Sequence, residues 1–327
     1  MSRIPRFAIA MTIAVAAALC VSVCRSGIVS HVSTVFAAVA GAQDQAPPDQ
    51  GQPDQGPDPA AGNMAPSGPS YTTQAPPPDQ STEQPGQAPD DSGYAGLPTE
   101  QATEAPPPLP DYEQPPDPGD GYIWTPGYWA WGPDGYYWVP GAWVEPPYMG
   151  ALWTPGYWGF YGGRYLFYPG HWGMHIGFYG GINYGFGYIG LGYEGGYWNG
   201  GHFFYNRAYN NINTRVVHNT YSYNAGNRGS YNRGNNNNPR ASYRGGTGVQ
   251  ARPQPSEREA AHEPTAPRMN TQAQHAQTYS GVRGQYAAQN HGRPATPAVS
   301  RPIPADRSSK PASSQSHSGQ QSSGQHR

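Results

Sequence analysis

Cysteine is all but missing: the 327 residues hold two, Cys20 and Cys24, both close to the N-terminus. Charge is scarce too, at 12% of residues, roughly half the ordinary share. The 36% of hydrophobic residues are diluted by 44 Gly and 38 Pro. Together these shortages exclude a single compact 300-residue domain, a multi-span membrane protein and a long helical bundle. They leave unfolded polymer around one small, aromatic-dense domain. No phosphate loop, dinucleotide fingerprint or nucleophile elbow occurs in the chain, so the common nucleotide and acyl-transfer chemistries have no sequence support.

The first 42 residues read as a signal peptide or N-terminal anchor. Arg3 and Arg6 precede an uncharged apolar run from Phe7 to Val23, and a second apolar patch ends in Ala40-Gly41-Ala42, a small-x-small cleavage pattern. Cleavage there predicts export to the periplasm, the cell envelope or the medium. Retention as an anchor is the alternative, since the 17-residue run sits at the short end of what spans a bilayer; a start codon placed too early is another. Leu19 and Val23 precede the cysteines where a lipidation signal wants a small residue. Cleavage after Ala42 would remove both thiols, leaving no disulfide, thiol catalysis or thiolate metal site.

Beyond the leader the composition changes twice. Residues 43–120 hold 14 acids and no Lys or Arg among Pro, Gln, Gly and Ala, which predicts a disordered acidic linker. Residues 121–209 concentrate all nine Trp, 16 Tyr and six Phe and are the expected folded domain. Residues 210–327 form a basic Arg/Asn/Gln/Ser-rich tail, expected to be mostly disordered. Counted from Arg207, 14 Arg and one Lys stand against four acids. A short helix is expected over 256–262, capped by Ser256 with Glu259 three residues on, and an edge strand over 213–221.

The strongest signal is repetition. Trp124-Thr-Pro-Gly-Tyr-Trp129 recurs as Trp138-Val-Pro-Gly-Ala-Trp143, Trp153-Thr-Pro-Gly-Tyr-Trp158 and Phe167-Tyr-Pro-Gly-His-Trp172. With the aromatic two residues upstream, the copies span 122–129, 136–143, 151–158 and 165–172; Ala151 replaces tyrosine in the third. Taken in pairs they form a 29-residue double repeat, present twice. The pattern predicts an all-β fold, a small antiparallel meander of eight short strands at 122–125, 128–132, 136–139, 142–145, 151–154, 157–161, 164–168 and 171–176. Pro-Gly reads as a turn with positive φ at glycine, and Gly132-Pro133-Asp134-Gly135 and Gly162-Gly163 as further hairpin signals. Two-residue Pro-Gly turns would set Trp124 opposite Trp129, 138 opposite 143, 153 opposite 158 and 167 opposite 172. Because a Pro-Gly turn twists poorly for tight hairpins, a wider loop with shifted pairing is the alternative. Residues 173–201, rich in Gly and aromatics, read as strands packed on this sheet.

These copies resemble the tryptophan-rich YXWGXW (WXXGXW) repeat family of exported bacterial proteins. The similarity continues through Gly180–Tyr188, Gly192–Trp198, Phe203–Asn206, Val216–Asn219 and Gly245–Pro253. The resemblance implies an exported envelope protein and brings no activity, cofactor or catalytic residue with it.

Asp134, Glu145 and Glu194 are the acids of the repeat block, expected in turns and at the surface. His171 and His175, with His202 and His218, could suggest a metal, but Gly173 and the repeat argue against the helix that would align the first two. The reading is therefore a non-enzymatic protein without cofactor or metal, in a structural or surface-association role. The alternative is a carbohydrate-binding module that stacks peptidoglycan or another polysaccharide on an aromatic face of Trp124, Trp129, Trp131, Trp138, Trp143, Trp153, Trp158 and Trp172, unless those rings are the domain's own core. Expected partners are cell-wall polysaccharide or an anionic envelope polymer. Nucleic acid is not expected, and membrane contact only through a retained leader.

Overall fold

The computed structural model describes residues 56–67, 97–224, 226 and 240–306. The chain divides into two units, Met1–Gln52 and Pro53–Arg327, and every described residue belongs to the second. The leader, its cysteines and much of the acidic linker lie outside the described residues.

A short strand, β1 (Glu100–Ala102), precedes the repeats. The first double repeat forms β2 (Ile123–Thr125), β3 (Tyr128–Gly132), β4 (Gly135–Val139) and β5 (Ala142–Val144). The second forms β6 (Leu152–Thr154), β7 (Tyr157–Tyr161), β8 (Arg164–Tyr168) and β9 (His171–Gly173). All eight expected strands are present, but their pairing corrects the Pro-Gly hairpins. β2 pairs with β5 and β3 with β4, in one unbroken register from Ile123 opposite Val144 to Gly132 opposite Gly135. The second hairpin repeats this, from Leu152 opposite Gly173 to Tyr161 opposite Arg164. Each 29-residue unit is thus one long hairpin. Its reversal lies at Pro133-Asp134 or Gly162-Gly163, and the Pro-Gly steps face each other midway along the arms.

The physical reason is in the glycines. Gly162 and Gly163 take φ of 56° and 81°, the two positive values that match a tight turn to strand twist. Gly127, Gly141, Gly156 and Gly170 are not among the positive-φ glycines, so Pro-Gly is not a type II turn here. It is a corner in which proline interrupts the ladder and glycine makes room for a ring. A Cβ at Gly127 would lie 2.3 Å from the Trp138 indole, and one at Gly170 2.4 Å from that of Trp153.

The indoles therefore pair across the arms: Trp124 with Trp143, Trp129 with Trp138, Trp153 with Trp172 and Trp158 with Phe167. Their ring centroids are 5.1–5.4 Å apart with interplanar angles of 46–70°, the tilted and edge-on geometries that ring quadrupoles favour. Phe167 fills the tryptophan role in the fourth copy, so that departure leaves the pattern intact.

Further strands follow: β10 (Asn183–Gly185) with β11 (Tyr188–Ile189), then β12 (Gly196–Asn199) with β13 (His202–Asn206). Of the edge strand expected over 213–221, only β14 (Thr220–Tyr221) forms, joining β13 in parallel, while 214–216 make a turn. The flanking segments complete the sheets. β1 pairs with β8, β15 (Tyr243–Arg244) lies parallel to β7, and β16 (Ala266–Pro267) pairs with β9. Backbone bridges join Gly141 to Ala298 and Val144 to Ile303. The second hairpin's strands β7, β8 and β9 are thereby paired on both sides, which removes their free edges.

Residues 97–120 and 240–306 were expected in disordered spans, and here the structure differs. Leu109, Gln114 and Asp117 are buried, as are Val249, Met269, Ala276, Tyr286 and Ile303. The segments α1 (Pro255–Ala260), α2 (Asn270–Ser280) and α3 (Ala287–Asn290) are helical. The expected helix starts one residue early. Gln254 precedes it, its N–H donating to the Glu257 carboxylate at 2.8 Å, so the capping pattern is shifted from Ser256. Composition misled because the few apolar side chains of these segments, Leu109, Val249, Met269 and Ile303 among them, are buried against the repeat hairpins, while proline carbonyls accept the indole N–H groups.

Candidate functional site

The eight tryptophans of the alternative stacking face divide unevenly. Trp124, Trp129, Trp138, Trp143, Trp153, Trp158 and Trp172 are buried; Trp131 is half-buried. They form the core, so an exposed aromatic platform of these eight does not exist.

Their polar edges are spoken for as well. A buried indole N–H needs an acceptor, and most acceptors come from the flanks. Trp129 donates to the Pro108 carbonyl at 3.2 Å, Trp143 to Pro115 at 2.9 Å and Trp138 to Pro297 at 2.9 Å. Trp172 donates to the Gln272 side chain at 2.9 Å and Trp158 to the Trp129 carbonyl at 2.7 Å. The Trp124 N–H is buried without a partner. Sequence reasoning missed Pro108, Pro115 and Pro297, because an accepting main-chain carbonyl carries no residue-type signature.

Where the two hairpins meet, Pro126, Pro140, Pro155 and Pro169 line one narrow crevice with Tyr184 and His275. Its free volume of about 40 Å³ suits a water-sized guest. The polar rim is already engaged: Tyr184 donates to the Gly156 carbonyl at 2.6 Å, and His275 Nε2 lies 2.9 Å from that of Pro140. Burial pushes the His275 pKa down, which favours the neutral ring as donor.

A roomier crevice of about 330 Å³ has Tyr112, Trp138 and Phe186 as walls and Asp111, Asn183 and Arg240 around it. Phe186 holds φ at 53°, a conformation few non-glycine residues adopt. The ring is wedged against Tyr112 and Trp124 at centroid distances of 5.2 and 5.6 Å.

The acids singled out from sequence do not converge. Asp134 lies in the exposed turn of the first hairpin and Glu145 follows β5 at its other end, accepting the Ala305 N–H at 3.1 Å. Glu194 is buried. Two buried acids outside the repeats went unnoticed. Burial raises the Asp117 pKa to about 7 and that of Glu257 to about 8. In each, one oxygen accepts a backbone N–H; the second oxygen of Glu257 has no partner, the Tyr205 hydroxyl lies by Asp117, and burial favours the protonated acid at both. Among the histidines, His175 pairs with Glu263 at 2.7 Å. Burial lowers the His171 pKa to about 4, and His202 and His218 are exposed. Among the described residues, no three His, Cys, Asp or Glu side chains gather as a metal site would require, and no helix is long and apolar enough to cross a membrane.

Comparison with known proteins agrees with the hairpin geometry. No curated protein and no solved structure matches the chain. Residues 119–144 match the WXXGXW repeat, in two copies. That span is the whole first hairpin, β2 to β5, and the second hairpin reproduces its register. The chain therefore carries the WXXGXW repeat, and the two matched copies are the two arms of its first hairpin.

Proposed function

We propose that this is an exported, non-enzymatic protein of the cell envelope, in which the repeat hairpins serve a structural or surface-association role. The observation that carries the reading is where the tryptophans spend their chemistry. Their rings fill the core, and their N–H groups hold the chain's own flanks. The leader-like residues 1–42 support export. The separation of Asp134 from Glu145 along the hairpin supports a role without turnover. The basic surplus after Arg207 suits an anionic envelope polymer, and no cofactor is called for.

The test is fractionation of cells producing the chain, with N-terminal sequencing of the processed protein and pull-down on isolated cell wall. Mature protein beginning near Gln43 and enriched on wall material is the expected result. Intact protein in the cytoplasm, or no enrichment, would overturn the reading.

A glycan-binding role finds one foothold, the crevice walled by Tyr112 and Phe186. Tryptophan fluorescence titrated with peptidoglycan fragments would shift in the native chain and not in Phe186→Ala.

A further inference from the structure

We propose that the first WXXGXW hairpin is a recognition site for extended proline-rich backbone, and that Thr73–Pro78 of the same chain is a second, exchangeable occupant of the seat now held by Thr103–Pro108. The inference goes beyond the envelope reading and does not depend on where the protein resides.

Proline-rich backbone is pre-extended and leaves its carbonyls unpaired, so donors on an aromatic surface can read it at little entropic cost. Such donors converge on Thr103–Pro108. Tyr136 donates to the Glu104 carbonyl at 2.7 Å and Trp129 to that of Pro108 at 3.2 Å. Ser242, from the opposite flank, reaches the Pro106 carbonyl at 3.2 Å and that of Pro107 at 2.5 Å. Every one of these acceptors is a main-chain oxygen, so the seat reads an extended path rather than side chains.

The seated hexapeptide occurs twice. Thr103-Glu-Ala-Pro-Pro-Pro108 repeats Thr73-Gln-Ala-Pro-Pro-Pro78, thirty residues upstream. The one difference, Gln74 for Glu104, falls where the hairpin contacts only backbone and the residue is exposed. Beyond the motif the copies part: buried Leu109 corresponds to Asp79. The duplicate therefore offers every carbonyl that is read but lacks the apolar anchor, which makes it the weaker occupant. A tether of thirty residues holds it at millimolar effective concentration, so its own chain outcompetes a second copy. When it takes the seat, the intervening residues loop out and β1 leaves β8 with them.

The test uses the full chain and a P76A/P77A/P78A variant, whose substitutions lie outside the described fold. Amide exchange of Ala102 in β1, the residue opposite Tyr165 of β8, should be several-fold faster in the native chain than in the variant. The Trp129 indole N–H should stay protected in both, since the seat stays filled. A synthetic peptide of residues 71–80, in excess, should restore fast β1 exchange to the variant, and a scrambled peptide should not. Equal β1 exchange in the two chains, or equal action of the scrambled peptide, overturns the proposal. A doubled mass by light scattering that is lost in the variant also overturns it, because the occupant would then come from a second copy.

Discussion

The indole N–H of Trp158 donates to the carbonyl oxygen of Trp129 at 2.7 Å, and these two residues are counterparts, 29 positions apart, in the two repeat hairpins. One repeat thus uses its ring to hold the backbone of the other at the equivalent position. Tyr188 adds a second tie between equivalent positions: its hydroxyl lies 2.9 Å from the Trp153 carbonyl and 3.3 Å from that of Trp124. The hairpins are joined through their repeated positions rather than through a linker.

The Trp158 bond predicts an asymmetry between two identical substitutions. Trp158→Phe removes a buried, paired N–H and strands the Trp129 carbonyl, while Trp124→Phe removes an N–H that has no partner. Both lose similar ring volume. The first should cost about 1–2 kcal/mol more than the second, the net worth of a buried hydrogen bond. Denaturant unfolding of the two variants measures the difference; equal costs would show the bond contributes nothing.

Two glycines should respond oppositely to a side chain. Gly127→Ala drives a Cβ into the Trp138 indole and should destabilise by about 1–3 kcal/mol, as overpacking does. At Gly162, φ is 56° and nothing lies within 4 Å of a new Cβ. Asparagine tolerates that conformation and Asn-Gly is the preferred pair for such a turn, so Gly162→Asn should be neutral within about 0.5 kcal/mol. Thermal unfolding of both variants checks the contrast.

Stability should fall as pH rises from 6.5 to 8. With folded pKa values of about 7 and about 8, Asp117 and Glu257 keep protons that the unfolded chain has already lost. The folded state therefore binds more protons and loses its advantage as they leave. Below pH 6.5 the lowered pKa values of His171 and His275 act in the opposite sense, since the unfolded chain then takes up protons the folded one refuses. The clean window is thus above 6.5. Denaturation midpoints across it should show the decline, and Glu257→Gln should make it shallower; an unchanged slope would contradict the assignment.

Removal of the hydroxyl that clasps the proline strap should loosen it without touching the hairpins. Ser242→Ala deletes the bonds to the Pro106 and Pro107 carbonyls and should cost about 1 kcal/mol. Faster amide exchange at Leu109, whose N–H donates to the Arg240 carbonyl at 2.9 Å, would report the loosening. Unaltered protection there would mean Ser242 is incidental.

Strand positions were legible because each copy places Trp, Pro-Gly and Trp at fixed spacing, and both hairpin reversals were marked by Gly132–Gly135 and Gly162-Gly163. Pairing was not legible. Trp124 is equally placed, by sequence, to face Trp129 or Trp143, and the choice depends on whether Gly127 turns the chain or yields space to Trp138. The flanks were misjudged for a related reason. Pro108 and Pro297 bury little side chain of their own, and their contribution is a carbonyl, which every residue has. The ring chemistry of the eight tryptophans fits a stacking face or a core equally, and rings that face one another across a bent hairpin are consumed as core. The acids Asp117 and Glu257 carried no pattern at all; only burial distinguishes them.

Hydrogen exchange of the indole N–H groups in the full chain, followed by nuclear magnetic resonance, separates a hydrogen-bonded indole core from rings loose in solvent. Exchange should be slow for Trp129, Trp138, Trp143, Trp158 and Trp172, whose N–H groups are bonded in the fold, and faster for half-buried Trp131. Exchange of all of them at the rate of free tryptophan would contradict a hydrogen-bonded core.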